Sequence, residues 1–324
     1  MRRIKVTDKL NKTVKDFLDT WVIDWRTQTL NRLNTFLDNT SLFYKKRREY
    51  INNIINNIDK LPYLKPVEFQ PMIDSFERII TKDNLKKNFK DQIVDVLGFK
   101  DLRSNRNYLK VVQDLDIKAC PYCNANLTLV VDIETYKRNW KGHKKGEVRE
   151  RSAKFDIDHY YPTSLYPYLS ISFYNLIPSC TNCNRSKSNN PANFYLFHEG
   201  NDLDVFSLSI EENSITKYWQ TKDRNDLKII INCFSDAISE NHQELFKIKE
   251  IYDSQLDVAE ELLHIKDAYD KCSKENLINE FRDLFNDPKM IDQLLIRNYT
   301  NPEDIHKRPL AKFTQDIGRQ LRII

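Results

Sequence analysis

The sequence predicts a mainly helical α+β fold, with two helical flanks around a shorter middle segment of different construction. Three observations carry that expectation. Apolar residues recur at steps of three and four through much of the first 116 residues and much of the last third. Four of the six cysteines and five of the eleven prolines fall between residues 120 and 191, where β-branched and aromatic runs also collect. The 324 residues are 40% hydrophobic and 30% charged with only 5 glycines, enough for one large core or two modest ones and incompatible with a collagen-like, low-complexity or wholly disordered chain.

In the first region, residues 1–116, Val14, Phe17, Leu18, Trp21, Val22 and Trp25 line one face of a helix. The spacing returns at Tyr50, Ile51, Ile54, Ile55 and Ile58, then over 76–80 and 85–97, with Pro62, Pro66 and Pro71 between. The Asn-rich and Lys-rich outer faces read as solvated surface. In the middle region, 117–200, residues 127–134 and 148–158 read as two strands joined by a long basic connection with glycines at 142 and 146. The window 135–154 carries eight Lys or Arg against Glu147 and Glu150, a net +6 in a chain whose total is +4, so the entire positive excess lies beside the cysteines. In the last region, 201–324, Leu227, Ile229, Ile231 and Cys233 alternate as a strand. Residues 245–269 read as helix, and 277–285 and 291–296 continue the pattern.

Several function classes are excluded at this level. No window approaches ~18 uncharged apolar residues and the N-terminus lacks the apolar run of a signal peptide, so neither a membrane span nor secretion is expected and the cytoplasm is the expected location. There is no G-x-x-x-x-G-K-[ST] phosphate loop, which excludes an ATPase of that type.

Cys120-Pro-Tyr-Cys123 and Cys180-Thr-Asn-Cys183 are two short-spaced pairs. Such pairs let two thiolates from one turn occupy adjacent corners of a tetrahedron, and four sulfurs leave no position for water. A structural zinc is expected, with metal uptake coupled to folding by an apparent energy on the order of 10 kcal/mol; a redox dithiol or two unrelated pairs are the competing readings. Cys233 and Cys272 stand alone and are expected as buried apolar fillers. Between the pairs lie Phe155-Asp-Ile-Asp-His-Tyr-Tyr-Pro162 and Phe173-Tyr-Asn-Leu-Ile-Pro178, and the second pair runs into Asn184-Arg-Ser-Lys-Ser-Asn189. An Asp followed by a His at a strand end brings a carboxylate and an imidazole together.

In the order Cys-x-x-Cys, Asp-His-x-x-Pro, Asn-Leu, Cys-x-x-Cys-Asn-x-x-Lys, residues 118–195 resemble the HNH endonucleases, the ββα-metal nucleases, in the version braced by two Cys-x-x-Cys pairs. The segment DIDHYYP followed by CNRSKSNN is similar to the HNH domain of RNA-guided CRISPR effector nucleases. The resemblance implies a zinc-braced ββα-metal core embedded between the helical regions, cutting DNA and leaving a 5′-phosphate and a 3′-hydroxyl. It implies His159 as general base, Asp158 and Asn184 as ligands of a catalytic Mg²⁺ or Mn²⁺, and Asn175 as the residue that holds the motif loop. Arg185 and Lys187 would contact phosphates. Asp156, on the same strand face as Asp158, could support or replace it as ligand, whereas His198 and His143 are expected to do no chemistry. The basic connection, with Lys141, Lys144 and Lys145 beside Tyr136 and Trp140, favours contact with a nucleic-acid backbone over a merely solvated tip. The string YPYLSISFYNLIPSC is similar to HNH proteins of bacterial anti-phage loci, including Septu-type systems, which implies a defence role with a partner ATPase. Two other functions compete: a zinc-stabilised nucleic-acid-binding or assembly module without turnover, and an RNA-cleaving toxin.

Overall fold

A computed structural model of the chain describes residues 1–234, 236–269, 276, 280 and 289–324, and the fold is α+β with helix predominant and small two-stranded sheets. After strand β1 (Ile4–Lys5), helix α1 spans Asp8–Asn39. It starts where Thr7, in extended conformation, accepts a bond from Leu10 N, satisfying one of the free N–H groups of the first turn. Its buried stripe is Leu10, Val14, Phe17, Leu18, Trp25, Thr29 and Leu33. Helices α2 (Lys45–Asn56), α3 (Phe69–Glu77), α4 (Lys87–Leu97), α5 (Phe99–Arg103) and α6 (Arg106–Asp114) follow. Helix α4 stops at Gly98, whose φ of 76° is the left-handed conformation glycine adopts without penalty. There Trp25 Nε1 donates to the Leu97 carbonyl at 2.7 Å, tying the end of α4 to α1.

The middle of the chain is not helical. Strands β2 (Leu129–Thr135) and β3 (Val148–Lys154) form an antiparallel hairpin. Strand β4 (Asp156–His159) pairs instead with β5 (Leu176–Ser179), and α7 (Thr181–Lys187) follows after Cys180. The single strand expected over 148–158 is thus two: the chain turns at the buried Phe155, and its ladder partner changes from Leu129 opposite Lys154 to Ser179 opposite Asp156. Strand β6 (Phe197–His198) pairs in parallel with β1.

In the last region β7 (Phe206–Ile210) and β8 (Ile229–Cys233) flank α8 (Glu212–Thr221) and pair antiparallel. The helix expected over 245–269 is divided into the end of α9 (Asp236–Phe246), α10 (Ile248–Asp253) and α11 (Leu256–Ala268). Lys247 takes a left-handed φ of 53° between the first two, a conformation that ends α-helical hydrogen bonding. The chain finishes with α12 (Lys289–Leu295) and α13 (Ala311–Gln320). The helical pattern read over 277–285 and the reading of Cys272 as a buried filler lie outside the described residues. Cys233 is not a filler: it ends β8 exposed, because the strand carries only Ile229 fully into the core.

One contiguous buried cluster runs from Leu10 through Tyr122 and Phe206 to Ile323, so all three regions contribute to it. The turn around Cys120 and Cys123 is a junction within that cluster. Asn124, fully buried, donates to Ile305 O at 2.7 Å and accepts from Lys312 N at 2.8 Å, while Tyr252 Oη donates to Cys123 O at 2.8 Å. No helix among the described residues is long and apolar enough to cross a membrane.

Candidate metal centre and reaction site

Cys120, Cys123, Cys180 and Cys183 are all buried, and their sulfurs lie within 4.8 Å of one another, with Cys123 Sγ to Cys180 Sγ at 4.0 Å. Zinc–sulfur bonds of about 2.3 Å in a tetrahedron place sulfurs about 3.8 Å apart, so the four thiols are close to the positions a tetrathiolate needs. N–H donors already point at the sulfurs: Ala125 N reaches Cys123 Sγ at 3.5 Å and Cys180 N reaches Cys120 Sγ at 3.4 Å. Burial, reinforced by the neighbouring thiols, pushes the Cys120 thiol up, whereas hydrogen bonds from Cys120, Cys180 and Cys183 hold Cys123 low. The set cannot carry several thiolates in this low-dielectric pocket without a cation. A soft, closed four-sulfur donor set of this kind could hold a structural metal such as zinc.

The cysteine cluster and the Asp-His motif share one small unit. Helix α7 begins directly after Cys180, contains Cys183, and packs on β4. Side chains alternate along a strand, so Asp156 and Asp158 face α7 while His159 faces away. Asp158 is 4% exposed; its Oδ2 accepts from Tyr122 Oη at 2.6 Å and its Oδ1 from Lys187 Nζ at 3.1 Å. Lys187, the last residue of α7, is fully buried and also donates to His159 O at 2.7 Å. Burial pushes the Asp158 carboxyl up and the Lys187 ammonium down, each opposed by the other's charge. The expectation that Lys187 contacts phosphate is corrected here: three residues beyond Asn184, it falls on the side of α7 that faces β4, and its ammonium is consumed inside the fold.

His159 is half-buried on the opposite side of β4. Its ring meets Phe99 edge-on at 4.5 Å and Nε2 donates to Ser170 O at 3.1 Å. Burial lowers its pKa to about 4, so the imidazole is neutral near pH 7, and the bond to a carbonyl fixes the proton on Nε2 and the lone pair on Nδ1. Asn175, fully buried just before β5, accepts from Tyr161 N at 2.7 Å and donates to Leu169 O at 3.0 Å and Tyr161 O at 3.2 Å, so its side chain ties down the loop that leaves the Asp-His motif. Asn184 is half-exposed, and the carboxylate it touches is that of Asp156, with Nδ2 to Oδ2 at 3.4 Å. Arg185 is exposed beside it. Asp156 also lines an open cavity of about 320 Å³ with Asn126, Lys154, Thr181 and Asn182.

The basic connection is a structured extension of the β2–β3 hairpin. Trp140 and His143 exchange both backbone bonds at 2.9 Å around Lys141 and Gly142, whose φ values of 45° and 85° are both positive, the geometry of tight turns that match strand twist. His143 stacks on Tyr136 at 4.6 Å and bonds Glu147, so its role is to stiffen the tip. Lys141, Lys144 and Lys145 are exposed, and Trp140 is 50% exposed with Arg138 and Lys141 near its ring. His198 bonds Asp202 at 2.8 Å at the β1–β6 pairing.

The structure therefore brings together Asp158, Lys187 and Tyr122, and separately Asp156 and Asn184, while the His159 ring lies across the strand from both groups. Tyr122 escaped the sequence reading because a tyrosine inside Cys-x-x-Cys looks like a spacer; the available signal was that a residue between two ligands of one centre has a fixed direction. No protein-family model, curated protein or solved structure matches this chain.

Proposed function

We propose that the protein is a metal-dependent endonuclease of the HNH type that hydrolyses phosphodiester bonds, with DNA as substrate. The observation that carries this reading is the unit formed by β4, β5 and α7: two antiparallel strands and a helix, with Asp158 and His159 closing the first strand, Asn175 immediately before the second and Asn184 on the helix. Hydrolysis of a phosphodiester requires a water that loses its proton, stabilisation of charge on the phosphate and a fixed substrate orientation. His159 takes the proton at Nδ1, since Nε2 is committed to Ser170 O. Asp156 and Asn184, in contact at 3.4 Å, offer hard oxygen donors that would hold Mg²⁺ or Mn²⁺, whereas the oxygens of Asp158, the ligand the resemblance implies, are held by Tyr122 and Lys187. Such an ion supplies Lewis acidity at the phosphate and the leaving oxygen. Arg185 and the hairpin lysines Lys141, Lys144 and Lys145 meet backbone phosphates, which gives affinity without base reading. Zinc in the four-cysteine cluster braces the unit from the other end.

One observation favours a second reading, a metal-stabilised nucleic-acid-binding module without turnover: Asp158 is already neutralised by the buried Lys187. Incubating the zinc-loaded protein with duplex DNA and single-stranded RNA in Mg²⁺, Mn²⁺ or EDTA separates the two. The nuclease reading expects metal-dependent cuts in DNA with 5′-phosphate ends. Binding without cuts in any metal favours the second, and cuts in RNA alone indicate the toxin. A partner ATPase in anti-phage defence is proposed from the resemblance of residues 166–180 alone; a tagged protein recovered from its native cells together with a stoichiometric ATPase would support it, and recovery without one would count against it.

A further inference from the structure

The tip of the β2–β3 hairpin carries more structure than a solvated turn needs. Backbone bonds close it twice over: Tyr136 N donates to Glu147 O at 2.9 Å, and Trp140 and His143 exchange both bonds at 2.9 Å. Asn139 Oδ1 accepts from Lys145 N at 2.8 Å, and the Tyr136 ring is taken up by its stack with His143. None of these contacts uses the Trp140 indole, which stands half-exposed. Below the tip, the β2–β3 register slips on either side of Glu134, an irregularity that bends a strand and re-aims its side chains. A cavity of about 890 Å³ opens there, in the size range of pockets that enclose a small ligand. Its apolar lining is Ile133, Tyr136 and Trp140, and its cations are Lys137, Arg138 and Arg149. Glu134, the acidic residue of the lining, is paired with Arg149 at 3.3 Å, so the charge left over is positive. Arg138 lies 5.4 Å and Lys141 5.8 Å from the indole centroid.

A half-exposed indole flanked by cations, on the wall of a positive cavity, matches a nucleotide whose base is unstacked. Phosphates meet the cations and the flat base meets the indole, a contact indifferent to sequence because every base has such a face. An intact duplex offers the phosphates but keeps its base faces stacked inside. The lysines of the tip therefore serve either form of DNA, whereas the indole and the cavity serve an unpaired one. We infer that the cavity is a binding site for an unpaired stretch of DNA, with a base stacked on Trp140 and its phosphates on Lys137, Arg138 and Lys141. The inference deepens the nuclease reading above and rests on it for the substrate, which is then DNA that carries a single-stranded segment. The fixed tip holds the indole in place before the strand arrives, which lowers the ordering cost of binding.

The test uses the zinc-loaded full chain without added Mg²⁺ or Mn²⁺, so that binding is read apart from cutting. Fluorescence anisotropy gives the affinities for an oligothymidylate of about 20 nucleotides and a duplex of about 20 base pairs, over a range of salt. Trp140→Ala is expected to weaken oligothymidylate binding by about tenfold, the scale of one lost base stack, and duplex binding by less than about twofold. The slope of log affinity against log salt should not change, because no phosphate contact is lost, and Trp140→Phe should recover most of the affinity. A loss on both probes with a shallower slope would mean that the indole merely holds the tip together. That result, or an oligothymidylate affinity within about twofold of wild type, overturns the inference. If wild type still cuts plasmid in either case, the nuclease reading stands without it. A Trp140-dependent single-strand site on a protein that cuts nothing supports the binding site and removes the nuclease reading.

Discussion

Replacing Lys187 by Met removes an ammonium while keeping most of the side-chain volume, and the structure gives the expected cost. The Lys187 and Asp158 side chains are 0% and 4% exposed and 3.1 Å apart. Deleting one member of a buried ion pair leaves an uncompensated charge, which costs about 3–5 kcal/mol, against roughly 0–1 kcal/mol for an exposed pair. His159 O also loses its 2.7 Å donor, which favours the upper part of that range. The effect should depend on pH. Burial already raises the Asp158 pKa, and without Lys187 it rises further. A folded-state pKa above the unfolded value of about 3.9 means that stability is complete below it and is lost as pH rises through the folded value. Lys187→Met should therefore be penalised more at pH 8 than at pH 5. Urea unfolding followed by tryptophan fluorescence at saturating zinc measures this, and Lys187→Met with Asp158→Asn should cost less than the two single changes summed. A Lys187→Met protein within about 1 kcal/mol of wild type at pH 8, the range of a surface pair, would refute the reasoning.

Elemental analysis should find one zinc per chain, and Cys180→Ser should lose the metal and most of the folding cooperativity; a folded, zinc-free wild type would contradict the closed four-sulfur site. Asn175→Ala strips the 2.7 Å and 3.0 Å bonds from a fully buried site and should cost about 3 kcal/mol, mainly from unpaired backbone groups, so an unchanged denaturation midpoint would count against its role in holding the loop. His306 is buried with its pKa lowered to about 4. Its neutral form therefore stabilises the fold above its unfolded value of about 6.5, and that contribution is lost as pH falls toward 4, up to about 3 kcal/mol. His306→Gln should flatten the acid limb of the stability profile, and an identical profile would rule the histidine out as its source.

The parts of the fold that were legible in the sequence are those with a local signal. The α1 stripe, the helical spacing over 85–97 that forms α4 and the two cysteine pairs each follow from spacing. The division of 148–158 at Phe155 was not legible, because both halves have strand character and only the distant partner, β2 or β5, distinguishes them. Strand β7 was missed for the same reason: Phe206–Ile210 acquires its meaning by pairing with β8. In the site, the cysteines could be grouped from their spacing, but the burial of Lys187 could not be read from an exposed-looking Asn-Arg-Ser-Lys run. The contact of Asn184 with Asp156 depends on how α7 lies across β4, which no local pattern encodes.

The central claim is tested most directly by nicking of supercoiled plasmid in Mg²⁺ or Mn²⁺, comparing wild type with His159→Ala and Asn184→Ala at equal zinc content and with EDTA as control. The account predicts metal-dependent cutting by wild type that falls by about a hundredfold or more in His159→Ala, the scale of general-base catalysis, and collapses in Asn184→Ala unless Mn²⁺ is raised. Cutting that survives both changes, or a folded, zinc-loaded wild type that binds the plasmid and never cuts it, would contradict the account.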